Sequence, residues 1–194
     1  MIRFFDIIFS LLGLILLSPF LIVLSVAIAI ESKGAVFYMQ TRVGRNNKDF
    51  KLFKFRSMSV GSDKKGLLTV GENDRRITKV GLFIRKYKFD EFAQLINVLK
   101  GDMSIVGPRP EVRKYVELYN NEQKRVLLIR PGITDYASIE YSNENEELAK
   151  SDKPEETYIN NIMPHKLDLN MKYINNPSIF NYIKIIFFTF LKII

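Results

Sequence analysis

The stretch KYKFDEFAQLINVLKGDMSIVGPRP, residues 86–110, joins an amphipathic helix to a turn rich in Gly and Pro. The apolar residues that share one face of a helix over residues 89–102 are Phe89, Phe92, Leu95, Ile96 and Leu99. Gly101 is the expected C-terminal stop of this helix. Two adjacent acids, Asp90 and Glu91, lie in its first turn, where they either cap the helix or form a functional carboxylate pair.

Basic residues occur in short motifs before and after this acidic pair, and they are Lys54, Arg56, Arg85, Arg109 and Arg130. Lys54 and Arg56 belong to FKFRSM, and two prolines fix the backbone on either side of Arg109. A carboxylate that attacks phosphorus needs such cations, because it would otherwise repel the phosphate oxygens. The combination of motifs indicates a site for a phosphorylated substrate.

The composition limits the classes of partner. The chain has 194 residues, enough for one domain with a core, and its 29 Lys and Arg against 21 Asp and Glu give a net charge of +8. This charge favours an anionic partner, and no nucleic-acid-binding module is recognisable, so we expect no nucleic acid. The absence of Cys excludes disulfides and Cys-based zinc sites, and the single His, His165, has no neighbours with metal-ligand spacing.

Residues 4–30 form an apolar run with one charge, Asp6. A straight helix of about 27 residues is about 40 Å long, more than a hydrocarbon core of about 30 Å, and the run exceeds the h-region of a signal peptide. Pro19 is expected to bend the helix near its middle, and it leaves one backbone carbonyl without its helical N–H donor. The hydroxyl of Ser18 can donate a hydrogen bond to such a carbonyl. Because basic residues flank both ends, a re-entrant helix and a single-pass helix both remain open.

Residues 178–194 are also densely apolar, with Lys184 and Lys192 on nearly the same helical face. This pattern indicates an amphipathic helix in the headgroup region, and the alternative is a helix packed on the core of the domain. The chain then divides into a membrane helix over residues 1–31, a cytoplasmic domain over residues 32–177 and a C-terminal helix over residues 178–194, which together form one functional unit.

The sequence predicts an α+β fold that is mainly helical with a small β-hairpin. Two strand-like runs, residues 36–41 and 50–55, flank the turn-rich GRNNKD. Residues 62–74 are typical of a polar loop, and a stripe of apolar residues predicts a helix after it, formed by Ile77, Val80, Phe83 and Ile84. Residues 110–134 contain one or two further helices.

The order of these motifs resembles the bacterial sugar transferase family, the monotopic phosphoglycosyl transferases. The motifs that carry the resemblance are the apolar segment with Ser18-Pro19, FKFRSM, IRKYKFDEFAQLINVLKGDMSIVGPRP and RPGIT. They cover almost the whole chain. Its length is similar to that of the minimal members, which consist of little more than the catalytic domain.

The resemblance implies a monotopic membrane enzyme that moves a sugar 1-phosphate from a UDP-sugar to a polyprenyl phosphate such as undecaprenyl phosphate and releases UMP. Asp90 would be the nucleophile that forms a covalent phosphosugar intermediate, Glu91 would assist, and both would bind Mg²⁺. Ser18 and Pro19 would break a re-entrant helix, which favours the bent alternative. The expected substrate-binding residues are Lys54, Arg56, Arg85, Pro108, Arg109, Arg130 and Gly132.

The expected location is the inner membrane of a bacterium, with the catalytic domain on the cytoplasmic face. The expected partners are the UDP-sugar donor, the polyprenyl phosphate acceptor and membrane lipids, and a homodimer is left open. The rival hypothesis is a membrane-anchored protein without catalytic activity that binds anionic lipid or nucleotide.

The sequence departs from the common family pattern after RPGIT, where many members continue with Gly-Trp-Ala-Gln. Here it reads Asp135-Tyr136-Ala137-Ser138, followed by the acidic EYSNENEELAKSD. That segment either borders the donor or forms a solvated loop and helix. The sugar preference of family members therefore does not transfer to this chain.

Overall fold

The computed structural model describes residues 1–62 and 74–193. The described residues are mainly helical, with two sheets of two strands each. The prediction of a mainly helical fold with a small hairpin is confirmed, and the second sheet is an addition to it. Most of the predicted loop over residues 62–74 lies outside the described residues.

The apolar N-terminal segment forms helix α1, Ile2–Glu31, which continues through Pro19. Proline has no N–H to donate to the carbonyl of Ile15, four residues earlier. The hydroxyl of Ser18 donates to that carbonyl at 2.8 Å, as the sequence predicts. By length and composition α1 could cross a bilayer.

Strands β1, Phe37–Val43, and β2, Asp49–Phe55, pair antiparallel, with Phe37 opposite Phe55. The turn between them contains a short 3-10 helix, Arg45–Asn47, whose two asparagines adopt φ of 57° and 60°. Asparagine tolerates this left-handed region better than most residues do. The predicted hairpin is confirmed, with a first strand that extends two residues further than expected.

Helix α2, Lys79–Lys86, begins after Thr78, whose hydroxyl accepts a hydrogen bond from the N–H of Gly81 at 2.9 Å. Within its predicted apolar stripe, Ile84 is fully buried and Phe83 is exposed. Of these two neighbouring residues, only Ile84 therefore packs in the core.

The predicted helix over residues 89–102 divides into a 3-10 helix, Phe89–Ala93, and helix α3, Gln94–Lys100. Gly101 ends α3 with a φ of 91°, a value that favours glycine. The C-terminal stop is therefore confirmed. The first turn has the tighter 3-10 geometry, which the apolar periodicity does not reveal.

Strands β3, Ser104–Val106, and β4, Gly132–Thr134, form a parallel pair. The backbones of Gly107 and Gly132 approach so closely that a Cβ on Gly132 would lie 2.1 Å from the amide nitrogen of Gly107. Only glycine fits there. This contact fixes the turn that carries Pro108 next to the start of β4, where the N–H of Gly132 donates to the carbonyl of Pro108 at 3.0 Å.

Several short helices and two long ones complete the described chain. They are α4, Arg113–Val116; a 3-10 helix, Gln123–Leu128; α5, Tyr136–Glu140; α6, Glu144–Ala149; α7, Pro154–Thr157; a π-helical turn, Tyr158–Ile162; α8, Met163–Asn175; and α9, Ile179–Ile193. Helix α5 packs against α8 and α9. Helix α6 lies in the acidic stretch, where the sequence predicts a loop and helix.

Helix α9 has two different faces. Tyr182 and Ile185 are fully buried against the domain. Phe180, Phe187 and Phe190 are exposed on the same helix. The core-packing alternative is therefore correct for one face, and the other face leaves aromatic rings uncovered.

Both ends of α1 contact the rest of the protein. Near its start, the guanidinium of Arg3 donates to the carbonyls of Val98 and Leu99 in α3, at 2.6 Å and 3.1 Å. At its end, the carboxylate of Glu31 accepts hydrogen bonds from the backbone N–H groups of Lys79 and Val80 at the start of α2. The helix is therefore attached to the domain along its length rather than at one end.

Candidate active site

Asp90 lies in the 3-10 helix that follows Lys88, a residue with a φ of 55°. Its side chain caps neither this helix nor α3, so the capping interpretation is wrong. The carboxylate instead lies 3.6 Å from the ammonium group of Lys54, which β2 supplies. Asp90 is only 9% exposed. A buried carboxylate beside a cation can act on a phosphate without repelling it.

Burial moves both members of this pair toward their neutral forms. Desolvation raises the pKa of Asp90, and the charge of Lys54 opposes that rise. Desolvation also lowers the pKa of Lys54, and the charges of Asp90 and Glu91 oppose that fall. Each group therefore favours the charged form of its partner, against the effect of burial.

Glu91 faces a different cation. The guanidinium of Arg109 contacts both of its carboxylate oxygens, with one donor–acceptor distance of 3.0 Å and one shorter. Burial by itself raises the pKa of Glu91, but the charge and hydrogen bonds of Arg109 outweigh burial and lower the pKa to about 2. Glu91 is therefore an anion whose oxygens are both occupied, in contrast to Asp90.

Asp135 holds the backbone of Arg109 in place. One of its carboxylate oxygens accepts a hydrogen bond from the N–H of Arg109 at 3.0 Å. The other oxygen accepts from the N–H of Ser138 at 2.6 Å and caps α5. Sequence reasoning noted Asp135 only as a departure from the family pattern. An Asp directly before a short helix was the signal that could have identified the cap.

These side chains line a cavity of about 730 Å³, a volume typical of small-molecule sites. The predicted site residues on its wall are Lys54, Arg56, Arg85, Asp90, Glu91, Pro108 and Arg109. The guanidinium of Arg85 makes no hydrogen bond with any residue in the described ranges 1–62 and 74–193, and its charge acts on Asp90. The structure thus brings together residues from four separate parts of the sequence.

Two predicted residues lie away from the cavity wall. The guanidinium of Arg130 donates from Nε to the carbonyl of Gly101 at 2.9 Å, at the end of α3. Gly132 belongs to the close backbone contact with Gly107. The contacts of both residues support the fold around the site.

Arg56 is on the cavity wall but donates toward the end of α1. Its NH2 group contacts the carbonyl of Ser32 at 2.6 Å and that of Ile28 at 3.3 Å, and NH1 contacts the carbonyl of Lys33. A cation at this position satisfies carbonyls at the C-terminal end of a helix. Arg56 thereby joins the end of α1 to β2, the strand that precedes Arg56 in sequence and carries Lys54.

Sequence reasoning missed further charged residues on the cavity wall, namely Arg42, Lys88, Glu111, Glu144 and Lys166. Lys88 could have been found from its position two residues before Asp90, and burial lowers its pKa. Arg42 pairs with Glu111 at 2.8 Å, and Lys166 pairs with Glu144 at 2.7 Å. No local motif marked these pairs, because they form across distant segments.

The acidic stretch borders the cavity in part. Its residues Tyr141, Ser142, Glu144 and Asn145 all line it. His165 lies at the surface, where its Nδ1 is 2.7 Å from the hydroxyl of Tyr141. Within the described residues, no group of three or more His, Asp or Glu side chains could hold a metal ion by itself.

The whole chain, residues 1–194, matches the family model described as bacterial sugar transferase. This protein belongs to the bacterial sugar transferase family. The match agrees with the resemblance carried by the sequence motifs. It places the carboxylate pair and its cations inside a family whose named members transfer sugar phosphates.

Two relatives have names that state their substrates. A UDP-N-acetylgalactosamine-undecaprenyl-phosphate N-acetylgalactosaminephosphotransferase of Aeromonas hydrophila is 41% identical over 71% of this chain and 33% of its own length. A UDP-glucose:undecaprenyl-phosphate glucose-1-phosphate transferase of Escherichia coli is 38% identical over 96% of this chain and 39% of its own length. The chain thus spans only about a third to two fifths of these two relatives.

A third relative is closer to the chain in length. The uncharacterized sugar transferase EpsL of Bacillus subtilis is 35% identical over 99% of this chain and 86% of its own length. A sugar transferase of similar extent therefore exists among the relatives.

Proposed function

We propose that this protein is a phosphoglycosyl transferase that moves a sugar 1-phosphate from a UDP-sugar to undecaprenyl phosphate and releases UMP. The observation that carries the proposal is the buried Asp90 on the wall of a cavity that also holds Lys54, Arg85 and Arg109. The names of the relatives supply the substrate classes. The product would begin the assembly of a bacterial glycan such as an O-antigen, a capsule or an exopolysaccharide.

The reaction consists of two displacements at the same phosphorus. A carboxylate oxygen of Asp90 first attacks the phosphorus that bears the sugar, and UMP leaves with the electron pair of the broken P–O bond. An oxygen of undecaprenyl phosphate then attacks this phosphorus, the bond to Asp90 breaks, and the carboxylate is regenerated. Two steps allow one small site to serve a water-soluble donor and a lipid acceptor in turn.

The cations of the cavity wall bind the phosphate groups and neutralise their charge, each in a different way. Lys54 favours the ionised form of Asp90 against burial and is placed to neutralise the incoming phosphate, because its ammonium lies 3.6 Å from the carboxylate. Arg85 is available to bind phosphate oxygens, since it pairs with no residue that the structure describes. Arg109 is oriented by Glu91 and Asp135 and presents a fixed guanidinium to the diphosphate.

The carboxylates of the site fit a Mg²⁺ ion that is bound by few protein ligands. Mg²⁺ commonly takes one or two carboxylates, substrate phosphate oxygens and several waters. Asp90 has carboxylate oxygen available for it, whereas both oxygens of Glu91 contact Arg109. We therefore assign the metal mainly to Asp90 and the donor diphosphate, with Glu91 beside it. A bound Mg²⁺ would supply charge neutralisation on the phosphate oxygens.

We also propose that α1 is re-entrant, with both ends on the cytoplasmic face of the inner membrane of a bacterium. Arg3 near its start and Glu31 at its end contact the same domain, which supports a helix that does not cross the bilayer. The exposed Phe180, Phe187 and Phe190 of α9 support a second contact with the headgroup region. This arrangement would hold the cavity near the phosphate of the acceptor.

The test measures UMP release by the full chain in detergent, with Mg²⁺, undecaprenyl phosphate and each of several UDP-sugars. We expect release from at least one donor by the wild type and its loss in Asp90→Asn, which keeps the shape of the side chain and removes the nucleophile. The matched control is Asp168→Asn, since Asp168 is exposed and lies outside the cavity.

Near-normal turnover by Asp90→Asn would exclude the assigned nucleophile. Binding of UDP-sugars without UMP release by the wild type would favour the rival hypothesis of a binding protein without catalytic activity.

A further inference from the structure

Part of the cavity wall is formed by two helices that lie apart from the carboxylate pair in sequence. This α5–α8 wall consists of Ala137 and Ser138 on α5 and of Lys166, Leu167 and Asn170 on α8. The three α8 residues are spaced by one, three and four positions, so they lie on one face of the helix. Ala137 and Leu167 are buried and give the wall an apolar base.

Two polar atoms of this wall lack partners. Asn170 is 5% exposed, and its Oδ1 is buried without a hydrogen bond to any residue in the described parts of the chain. The Oγ of Ser138 is buried and unpaired among the same residues. An unsatisfied buried polar group costs about 1–3 kcal/mol, and native proteins hold few of them without a reason. A ligand that provides hydrogen-bond partners would remove this cost.

The hydrogen-bonding groups of the wall that lack partners among the described residues carry no charge. The charge of Lys166 is paired with the carboxylate of Glu144 at 2.7 Å, whereas the amide oxygen of Asn170 and the hydroxyl of Ser138 are neutral and have no partner among the described residues. The other part of the cavity carries the cations beside Asp90. The cavity therefore offers charge for a diphosphate and neutral hydrogen-bonding groups for a part of the donor that bears no charge.

The α5–α8 wall is tied directly to the reacting groups. The N–H of Ser138 and the N–H of Arg109 donate to the two oxygens of the same carboxylate, that of Asp135. Arg109 in turn contacts Glu91, the neighbour of Asp90. In the proposed reaction the sugar is attached to the phosphorus that Asp90 attacks. The sugar must therefore lie within one phosphate group of the carboxylate of Asp90.

We propose that Asn170 and Ser138 bind the sugar of the donor through its hydroxyl or acetamido groups and thereby select which UDP-sugar is used. The inference rests on the proposed transferase function and specifies its substrate recognition. It assigns sugar selection to the α5–α8 wall, and it leaves the diphosphate to the cations beside Asp90.

The test compares dissociation constants for two kinds of ligand. The wild type, Asn170→Ala and Ser138→Ala are titrated in detergent with UMP and with UDP-glucose, UDP-galactose, UDP-N-acetylglucosamine and UDP-N-acetylgalactosamine. We expect Asn170→Ala to weaken the preferred UDP-sugar about tenfold or more and to change UMP affinity less than twofold. The matched control is Asn161→Ala, because Asn161 is exposed and outside the cavity.

Equal weakening of UMP and UDP-sugar would assign the wall to the nucleoside and overturn the inference. An unchanged affinity for both would overturn it as well. If Asn170→Ala does not fold, Ser138→Ala decides between these outcomes, with the same expectation of a selective loss. Failure of the inference is distinguishable from failure of the transferase function, because the wild type would then still release UMP from a UDP-sugar.

Discussion

The carboxylate of Asp6 accepts a hydrogen bond from the hydroxyl of Tyr182 at 2.9 Å, across 176 residues of sequence. Asp6 is 1% exposed, and the same oxygen also accepts from the hydroxyl of Ser104 and the N–H of Ile105, each at 2.9 Å. This one oxygen therefore joins α1, β3 and α9. The single charge of the apolar N-terminal run serves to attach both apolar terminal helices to the domain.

We expect Asp6→Ala to lower the stability of the folded protein by about 2–4 kcal/mol, because it leaves buried donors without an acceptor. Tyr182→Phe removes one donor only and should cost about 1 kcal/mol. Thermal unfolding in detergent measures both changes. Tyr87→Phe is the control, since Tyr87 is exposed. Equal unfolding midpoints for all three variants would show that the Asp6 contacts do not stabilise the fold.

Arg109→Lys tests whether the fixed guanidinium matters for turnover. Lysine keeps the charge but cannot contact both oxygens of Glu91 at once. We expect UMP release to fall at least tenfold, and the unfolding midpoint to fall as well, because the contact with both oxygens of Glu91 is lost. The exposed pair of Arg125 and Glu122 provides the control variant, Arg125→Lys. Normal turnover by Arg109→Lys would mean that charge alone is sufficient at this position.

The ion pair of Glu91 and Arg109 should make stability depend on pH. The pKa of Glu91 is about 2 in the folded protein against 4.5 in the unfolded chain, so the carboxylate contributes stability above pH 4.5 that is lost as the pH falls toward 2. The difference corresponds to about 3 kcal/mol. Glu91→Gln should therefore lose less stability than the wild type between pH 5 and pH 3.

Unfolding in buffers with EDTA, which excludes bound metal, measures this difference. The control is Glu146→Gln, because Glu146 is exposed and hydrogen-bonds through its side chain to no residue that the structure describes. Parallel losses of stability in wild type and Glu91→Gln would contradict the role of this ion pair.

Ser18-Pro19→Ala-Ala should shift α1 toward a helix that spans the membrane. The change restores the N–H that Pro19 lacks and removes the hydroxyl that meets the carbonyl of Ile15. We expect an N-terminal tag to be labelled from the cytoplasmic side in the wild type and from the opposite side in a fraction of the variant. Cytoplasmic labelling alone in both proteins would show that the contacts of Arg3 and Glu31, rather than the bend, determine the topology.

The sequence predicted those features that depend on neighbouring residues. The hairpin follows from its alternating strands and Asn-rich turn, and Gly101 ends α3 because a left-handed residue is needed there. The carboxylate pair was found through its motif. Of the two alternatives that the local sequence left open for Asp90, capping is wrong, because the chain turns at Lys88 and the carboxylate lies beside Lys54.

The structure decided every relationship between distant segments. Arg130 and Gly132 were expected at the substrate and lie at backbone contacts beside the site, whereas Lys88, Asp135 and Asn170 were not expected and lie at or next to the cavity. Helix α8 carries no motif, so its role could not be predicted from sequence.

The sequence by itself determined the family, the apolar helices and the acids and cations that the chemistry needs, because composition, periodicity and motif order are local properties of the chain. Only the tertiary structure decided which cation pairs with which acid and which helices form part of the cavity wall. Those pairings depend on burial and on distances between segments far apart in sequence, and local patterns do not encode them.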